Sequence, residues 1–224
     1  MLVLMNLTKL ASVSLFACAL SASTYIGSGL STMGNTEDAS AVFVINNGSI
    51  TITLANLLAN PSSVAQNISD FEFTLSGGAT DGTLMSSSGT ELNVNSNGSY
   101  SLGSSVATGW KLSSSGGSLI LDVLGTMEAP AHTIIGPSNN GTYSGGTYAG
   151  ANNSIAGNDP HNPFLDGAKF VIAIPEVTTD TTVTSVTFSF GTSAGNDLSV
   201  KSDPTPEPWS FGFVGVGLLG PVGI

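Results

Sequence analysis

The feature that most constrains this chain is a two-residue alternation of apolar and polar side chains that recurs along its middle. In DFEFTL, Phe71, Phe73 and Leu75 fall on one face while Asp70, Glu72 and Thr74 fall on the other. SITITL repeats the pattern with Ile50, Ile52 and Leu54, and TSVTFSF repeats it with Val186, Phe188 and Phe190. A helix would scatter these side chains around its circumference, whereas a strand keeps them on one side, so the pattern predicts half-buried strands. SLILDVL at 118–124 and AKFVIAI at 168–174 are more continuously apolar and are expected to be central strands covered on both faces. AVFVIN, ELNVN, GWKLS and DLSVK are weaker strand candidates.

Turn signals punctuate these runs: Asn47-Gly48, Gly77-Gly78, Asp81-Gly82, Asn97-Gly98, Gly116-Gly117 and Asn140-Gly141. Each pair tolerates the positive φ that tight hairpins require. The spacing predicts an all-β fold, an antiparallel β-sandwich, jelly-roll-like or Ig-like, of about eight to ten strands. Helix is scarce in the middle, where Pro61 would limit NLLANPSSVAQNI to a turn or two. The Gly-, Asn- and Ser-rich stretch at 136–163 is too long for a hairpin turn and is expected to be an ordered excursion or a covering loop.

Charge excludes one class of partner. Fifteen acidic residues stand against four lysines, with no arginine, giving a net charge of -11. Such a chain repels a phosphate backbone and has no basic patch to release its counterions, so nucleic acid is not an expected partner. The N-terminus, MLVLMNLTKLASVSLFACALSAS, sets Lys9 before an apolar run from Leu10 to Leu20 and then small residues. That is the layout of a secretory signal, with cleavage expected after Ser21 or Ser23 because Ala19, Ser21 and Ser23 are small residues two apart. The single cysteine, Cys18, lies inside this segment, so the exported chain would have no disulfide to rely on. LFAC at 15–18 is similar to a lipoprotein processing box, although Phe16 departs from the small residue preferred there.

Few residues suggest chemistry. His132 and His161 are the only histidines, and neither they nor Asp159 stand in a spacing characteristic of a metal site. No serine occupies a Gly-x-Ser-x-Gly elbow at the end of a strand preceding a helix. AGND occurs at 156–159 and again at 194–197, but without the alternating acids and closing glutamate of a helix-loop-helix calcium site, so both are expected to be ordinary Asn-Asp turns. No cofactor and no catalytic residue is expected, and a hydrolase with an unrecognised site ranks third among the functional readings. Trp110, Tyr143 and Tyr148 are the candidate rings for stacking on a sugar, the second reading being a secreted carbohydrate-binding module.

The C-terminal stretch is DPTPEPWSFGFVGVGLLGPVGI. Pro204, Pro206 and Pro208 make a stiff extended spacer. The sixteen residues from Trp209 to Ile224 are apolar or glycine, apart from Ser210 and Pro221. This falls somewhat short of the roughly 20 residues needed to span a bilayer as a helix. Trp209 at its border suits a membrane interface, and Phe211, Phe213, Val214, Leu218 and Leu219 supply its apolar bulk. Pro206-Glu207-Pro208 followed by a Gly-rich apolar segment, on a chain with a signal peptide, resembles the PEP-CTERM sorting signal of exopolysaccharide-producing Gram-negative bacteria. SIAGNDPHNPFLDGAKFVIAIPEV and VTSVTFSFGT also resemble the uncharacterised β-rich ectodomains that often precede that signal.

The resemblance implies export through signal peptidase, transient inner-membrane anchoring by the C-terminal helix, and processing near Pro206, Glu207 and Pro208 by an exosortase. The product would then reside at the cell surface or in the extracellular matrix, with exopolysaccharide as a partner. The family's usual Arg/Lys cluster is absent, since no basic residue follows Lys201. That departure implies a truncated segment or weaker anchoring. The expected organisation is therefore a signal helix at 1–23, a β-sandwich ectodomain at 24–202, a Pro-rich spacer at 203–208 and a sorting segment at 209–224. The expected role is structural or adhesive, in biofilm or exopolysaccharide, and not enzymatic.

Overall fold

The computed structural model describes residues 22–157, 160–193, 195–201 and 205–206. Among them there are thirteen strands and no α-helix. The strands are β1 (Ala22–Leu30), β2 (Thr36–Asn46), β3 (Ser49–Asn56), β4 (Ile68–Leu75), β5 (Thr83–Val94), β6 (Tyr100–Val106), β7 (Lys111–Ser115), β8 (Ser118–Asp122), β9 (Phe164–Leu165), β10 (Ala168–Ala173), β11 (Val183–Phe190), β12 (Asp197–Lys201) and β13 (Thr205–Pro206). All pairings between strands are antiparallel. The larger sheet runs β13-β1-β2-β3-β10-β5-β6, with β9 also on β5, and the smaller runs β12-β11-β4-β8-β7.

The sheets pack face to face because each offers one apolar face. Ile50, Ile52, Leu54 and Phe43 from the larger sheet are buried in one cluster with Phe71, Phe73, Leu121, Val186 and Phe188 from the smaller. Phe43 is the hub: its ring centroid lies 5.5 Å from Phe73, 5.9 Å from Phe71 and 5.5 Å from Tyr25. Phe188 extends the group, 5.1 Å from Phe71. Edge and tilted contacts of this kind add to the burial term, which is about 1.5–3 kcal/mol for a large apolar side chain. Tyr25 also ties the sheets by a hydrogen bond, its hydroxyl donating to the Val183 carbonyl at 2.7 Å.

Three of the six turn signals close hairpins, at Asn47-Gly48, Asn97-Gly98 and Gly116-Gly117, whereas Gly77-Gly78 forms a 3-10 turn between the sheets and Asn140-Gly141 lies in the covering loop. Asn46 pairs with Ser49 and Ser115 with Ser118, leaving Asn47-Gly48 and Gly116-Gly117 as two-residue loops. Gly116 and Gly117 both have positive φ, 61° and 92°, which a side chain would strain. Asp81-Gly82 is different, since Gly82 is not at positive φ; a Cβ there would come within 3.2 Å of Ile172 and Leu112, so its absence makes room for packing. Pro61 limits the neighbouring helix as expected, leaving a single 3-10 turn at Val64–Gln66.

Four differences from the sequence reading stand out. Strands exceed eight to ten, because the Ser- and Gly-containing β1 and β6 and the two-residue β9 and β13 show no clear alternation. β1 opens at Ala22, so two residues of the expected signal at 1–23 belong to the sandwich; the rest of that helix and the apolar helix at 209–224 lie outside the described residues. Part of the spacer forms β13, with Thr205 opposite Thr24 and Pro206 opposite Ser23. β10 is central but covered fully on only one face, since Lys169 is exposed and Val171 half-buried.

The segment 123–163 behaves as a covering loop with a core of its own. Ile135, Tyr148 and Ile155 from it pack with Val64, Leu92, Val94 and Phe164 in a second buried cluster. Phe71→Ala is expected to cost about 3–5 kcal/mol, by removing a ring shared by both sheets and leaving a cavity. Met127→Ala, at a side chain 97% exposed, is expected to change stability by less than about 0.5 kcal/mol. Urea unfolding of the two variants checks the contrast.

Candidate functional site

The outer face of the smaller sheet carries a row of acids. Because Phe71 and Phe73 point inward, Asp70 and Glu72 point out, and the register extends their positions across four strands. Asp122 of β8 stands opposite Asp70 of β4, Asp70 opposite Ser189 of β11, and Ser189 opposite Asp197 of β12. Glu72 lies in the next outward row, opposite Thr187. Like charges directly across a strand pair oppose folding, their Cβ atoms being about 4.5–5.5 Å apart. The acids line a groove of about 560 Å³, with Leu124 and Gly125 on one side and Thr192, Ser193 and Gly195 on the other.

Two of the carboxylates are fixed by donors. Asp122 Oδ1 accepts from the Leu124 N–H at 2.6 Å and Oδ2 from the Gly125 N–H at 3.3 Å. Asp197 Oδ1 accepts from Ser189 Oγ at 2.6 Å. Asp70, between them, is pushed up to about 7, first by burial and then by the charges of Asp122, Glu72 and Asp197, with Ser189 offsetting part of the shift. Asp70 is therefore partly protonated near neutral pH, while the Ser189 hydroxyl proton is committed to Asp197. Oxygen ligands of this type are those a hard cation prefers. Among the described residues, however, no three of His, Cys, Asp and Glu are grouped to hold a metal ion.

A second carboxyl is more deeply withdrawn. Glu37 of β2 is 1% exposed, and neither of its oxygens has a hydrogen-bond partner. Burial raises it to about 8, and Asn196 relieves only part of this. The reason lies in the amide's other duties: Asn196 Nδ2 donates to the Ala65 carbonyl at 2.9 Å, and its Oδ1 accepts from Ser31 Oγ at 2.5 Å. Protonation at neutral pH spares the fold an unpaired buried charge.

The sequence-derived candidates fall in several places. Trp110 and Tyr148 are 3% and 1% exposed, so neither ring forms a sugar-stacking surface, which corrects that expectation. Trp110 packs on Phe170 and donates from Nε1 to the His132 carbonyl at 2.9 Å. Tyr148 donates to the Gly136 carbonyl at 2.8 Å and Tyr143, half-buried, to the Ile135 carbonyl at 2.6 Å. Burial raises both phenols further from ionisation. These rings were needed to hold the covering loop, a demand that one-residue inspection does not reveal.

His132 is buried, with Nδ1 3.0 Å from the Thr108 carbonyl and Nε2 3.4 Å from Glu91 Oε1. It ties the covering loop to the β6–β7 loop and to β5, and it does not line the acid groove. Burial lowers the His161 pKa. In the second AGND, Asn196 is the structural amide described above and Asp197 joins the row. Ser23 and Pro206 lie in paired strands. Cys18, Ala19, Ser21, Asp159, Glu207, Pro208, Trp209, Phe211, Phe213, Val214, Leu218 and Leu219 lie outside the described residues. Among the described residues, no helix is long and apolar enough to cross a membrane.

No protein-family model, curated protein or solved structure matches the chain. The two raised carboxyls set a pH dependence of definite sign. Each native form binds its proton more firmly than the unfolded chain does, so its contribution is full below about pH 4. It is lost as pH rises through about 7 for Asp70 and about 8 for Glu37. The melting temperature is expected to fall from mildly acidic to mildly basic pH. Asp70→Asn and Glu37→Gln should each flatten their own part of that fall and stabilise the protein at basic pH by roughly 2 kcal/mol. Thermal unfolding across the pH range, read for each variant, tests this; curves parallel to that of the parent would disprove it.

Proposed function

We propose that this chain is an exported protein of the cell surface or extracellular matrix, sorted through Pro206, Glu207 and Pro208, with a structural or adhesive and non-enzymatic role in biofilm or exopolysaccharide. The observation that carries this reading is the pairing of Ser23 with Pro206 and Thr24 with Thr205. The chain enters and leaves the sandwich on neighbouring strands, so an N-terminal signal and a C-terminal sorting segment connect to the same end of the domain. Such a domain can be held at one point and released by cuts on either side of a single strand pair.

Composition supports the same reading. Without a cysteine beyond Cys18, the sandwich holds together by packing and by hydroxyl and amide hydrogen bonds. Its outward strand positions are rich in Ser and Thr, as at Thr51, Thr53, Ser185 and Thr187. Within the all-β class we read the sandwich as a jelly-roll-like or Ig-like variant, because hairpins within a sheet alternate with crossings between sheets. The signal helix expected within 1–23 and the apolar helix expected at 209–224 would be its removable appendages. With Trp110 and Tyr148 buried, nothing favours the carbohydrate-binding module as a second reading.

Intact mass spectrometry of the protein from each fraction of its native host is the test. We expect a mature N-terminus at Ala22, since a cut after Ser21 leaves β1 whole while a cut after Ser23 removes the residue paired with Pro206. We expect a second cut near Pro206–Pro208. Retention of Trp209–Ile224 would mean a lasting membrane anchor in place of sorting, and a lipid on Cys18 would replace signal-peptidase processing altogether.

A further inference from the structure

Three buried polar side chains, Ser31, Glu37 and Asn196, meet where the β1–β2 turn touches the β11–β12 loop. Ser31 Oγ donates to Asn196 Oδ1 at 2.5 Å, a contact between residues 165 apart in the chain. Glu37 adjoins the same amide, yet neither of its oxygens has a hydrogen-bond partner. A side chain needed only to fill this space would better be apolar, since an orphaned buried acid costs stability. A hydroxyl, a carboxamide and an uncommitted carboxyl are the components of an acyl transfer.

The backbone holds hydroxyl and amide together from both sides. Thr32, next to Ser31, donates from its N–H to the Asp197 carbonyl at 3.0 Å and from Oγ1 to the Gly195 carbonyl at 2.7 Å, and its Oγ1 accepts from the Asp197 N–H at 2.9 Å. Gly195 and Asp197 flank Asn196, so one threonine clamps the loop on either side of the amide. Within the turn, the Ser31 N–H donates to the Asn35 carbonyl at 2.9 Å, and the Asn35 N–H donates to Ser31 Oγ at 3.3 Å. Asn196 Nδ2 donates to the Ala65 carbonyl at 2.9 Å, which fixes the amide plane. For a hydroxyl 2.5 Å from a carbonyl oxygen along its lone pair, the carbonyl carbon lies about 3.3 Å away, inside the roughly 3–3.5 Å of a near-attack geometry.

We propose that Ser31 and Asn196 condense to an intramolecular ester, with Glu37 carrying the proton. Ser31 Oγ attacks Asn196 Cγ and the C–O bond forms. Glu37, on which burial keeps a proton near neutral pH, gives that proton to the departing Nδ2 and regains one from Oγ, and the C–N bond breaks to release ammonia. Hydroxyl and carboxamide thus become ester and ammonia, with Glu37 unchanged and no oxidant or outside reactant consumed. The ammonia leaves past the exposed turn at 32–34. The bond ties the β1–β2 turn of the larger sheet to the β11–β12 loop of the smaller, the office a disulfide would serve in a chain with no cysteine beyond Cys18. The described structure holds the reactants, and the ester accumulates once folding has assembled them.

The inference does not depend on export, and its failure would leave the sorting reading intact. Trypsin cuts this arginine-free chain only at its four lysines, and Lys111 and Lys169 separate Ser31 from Asn196. The full chain is incubated at neutral pH and followed by intact mass and by tryptic mapping. Expected is a species lighter by one ammonia that yields a linked peptide containing both residues, split by hydroxylamine. Ser31→Ala is expected to abolish the linked peptide and Glu37→Gln to slow its appearance by about a hundredfold, both with unchanged circular dichroism. The pH-dependent stability of Glu37→Gln is read on freshly folded protein, before the ester accumulates. No ammonia loss, loss without a linked peptide as from a succinimide at an Asn-Gly turn, or a linked peptide that persists in Ser31→Ala or forms at the parent's rate in Glu37→Gln would overturn the proposal.

Discussion

The structure depends on the contact of two apolar faces at Phe43, Phe71 and Phe73. Each sheet alone would expose a row of rings to water, and neither is held by a covalent cross-link within the described residues. Sealing one against the other is what makes both stable. The same contact fixes register, because a slip of one residue in β4 would turn Phe71 and Phe73 outward and bring Asp70 and Glu72 into the core. Pairing, facing and burial are thus one decision. The outward row of acids is a by-product of it.

A sandwich with so few charged residues must still satisfy its buried polar atoms, and side-chain amides carry much of that duty. Asn56 Nδ2 donates to the carbonyls of Gln66 and Ile134, while its Oδ1 accepts from the Leu58 N–H. Asn196 joins the β1–β2 turn to Ala65. Ser138 Oγ, fully buried, contacts acceptors across the covering loop at Thr142 and Gly145. These bonds help irregular backbone lie over the second cluster, since each buried polar group left without a partner would cost about 1–3 kcal/mol. The exceptions among buried side-chain atoms are both Glu37 oxygens and the Oδ1 atoms of Asn60 and Asn67, and the raised Glu37 pKa is one consequence.

How much of this was legible follows from the range over which each signal acts. Alternation is local, so β3, β4 and β11 could be read directly from SITITL, DFEFTL and TSVTFSF. β5 to β7 were only partly legible, because serines on both faces leave no contrast between inside and outside. The acid row was not legible. Asp70, Asp122 and Asp197 are distant in sequence and become neighbours only through the pairing of β8, β4, β11 and β12, which no single strand encodes. Trp110 and Tyr148 illustrate the same limit from the other side: a lone aromatic reads equally as platform or core, and only the packing of Trp110 on Phe170 and of Tyr148 in the second cluster places both inside.

The distribution of charge links these observations. The acids that alternation forces outward on the smaller sheet cannot be dispersed, since three of them share one row across neighbouring strands, and the cost appears as a raised pKa at Asp70. Elsewhere the exposed strand positions are filled with hydroxyls, which hydrate without repelling.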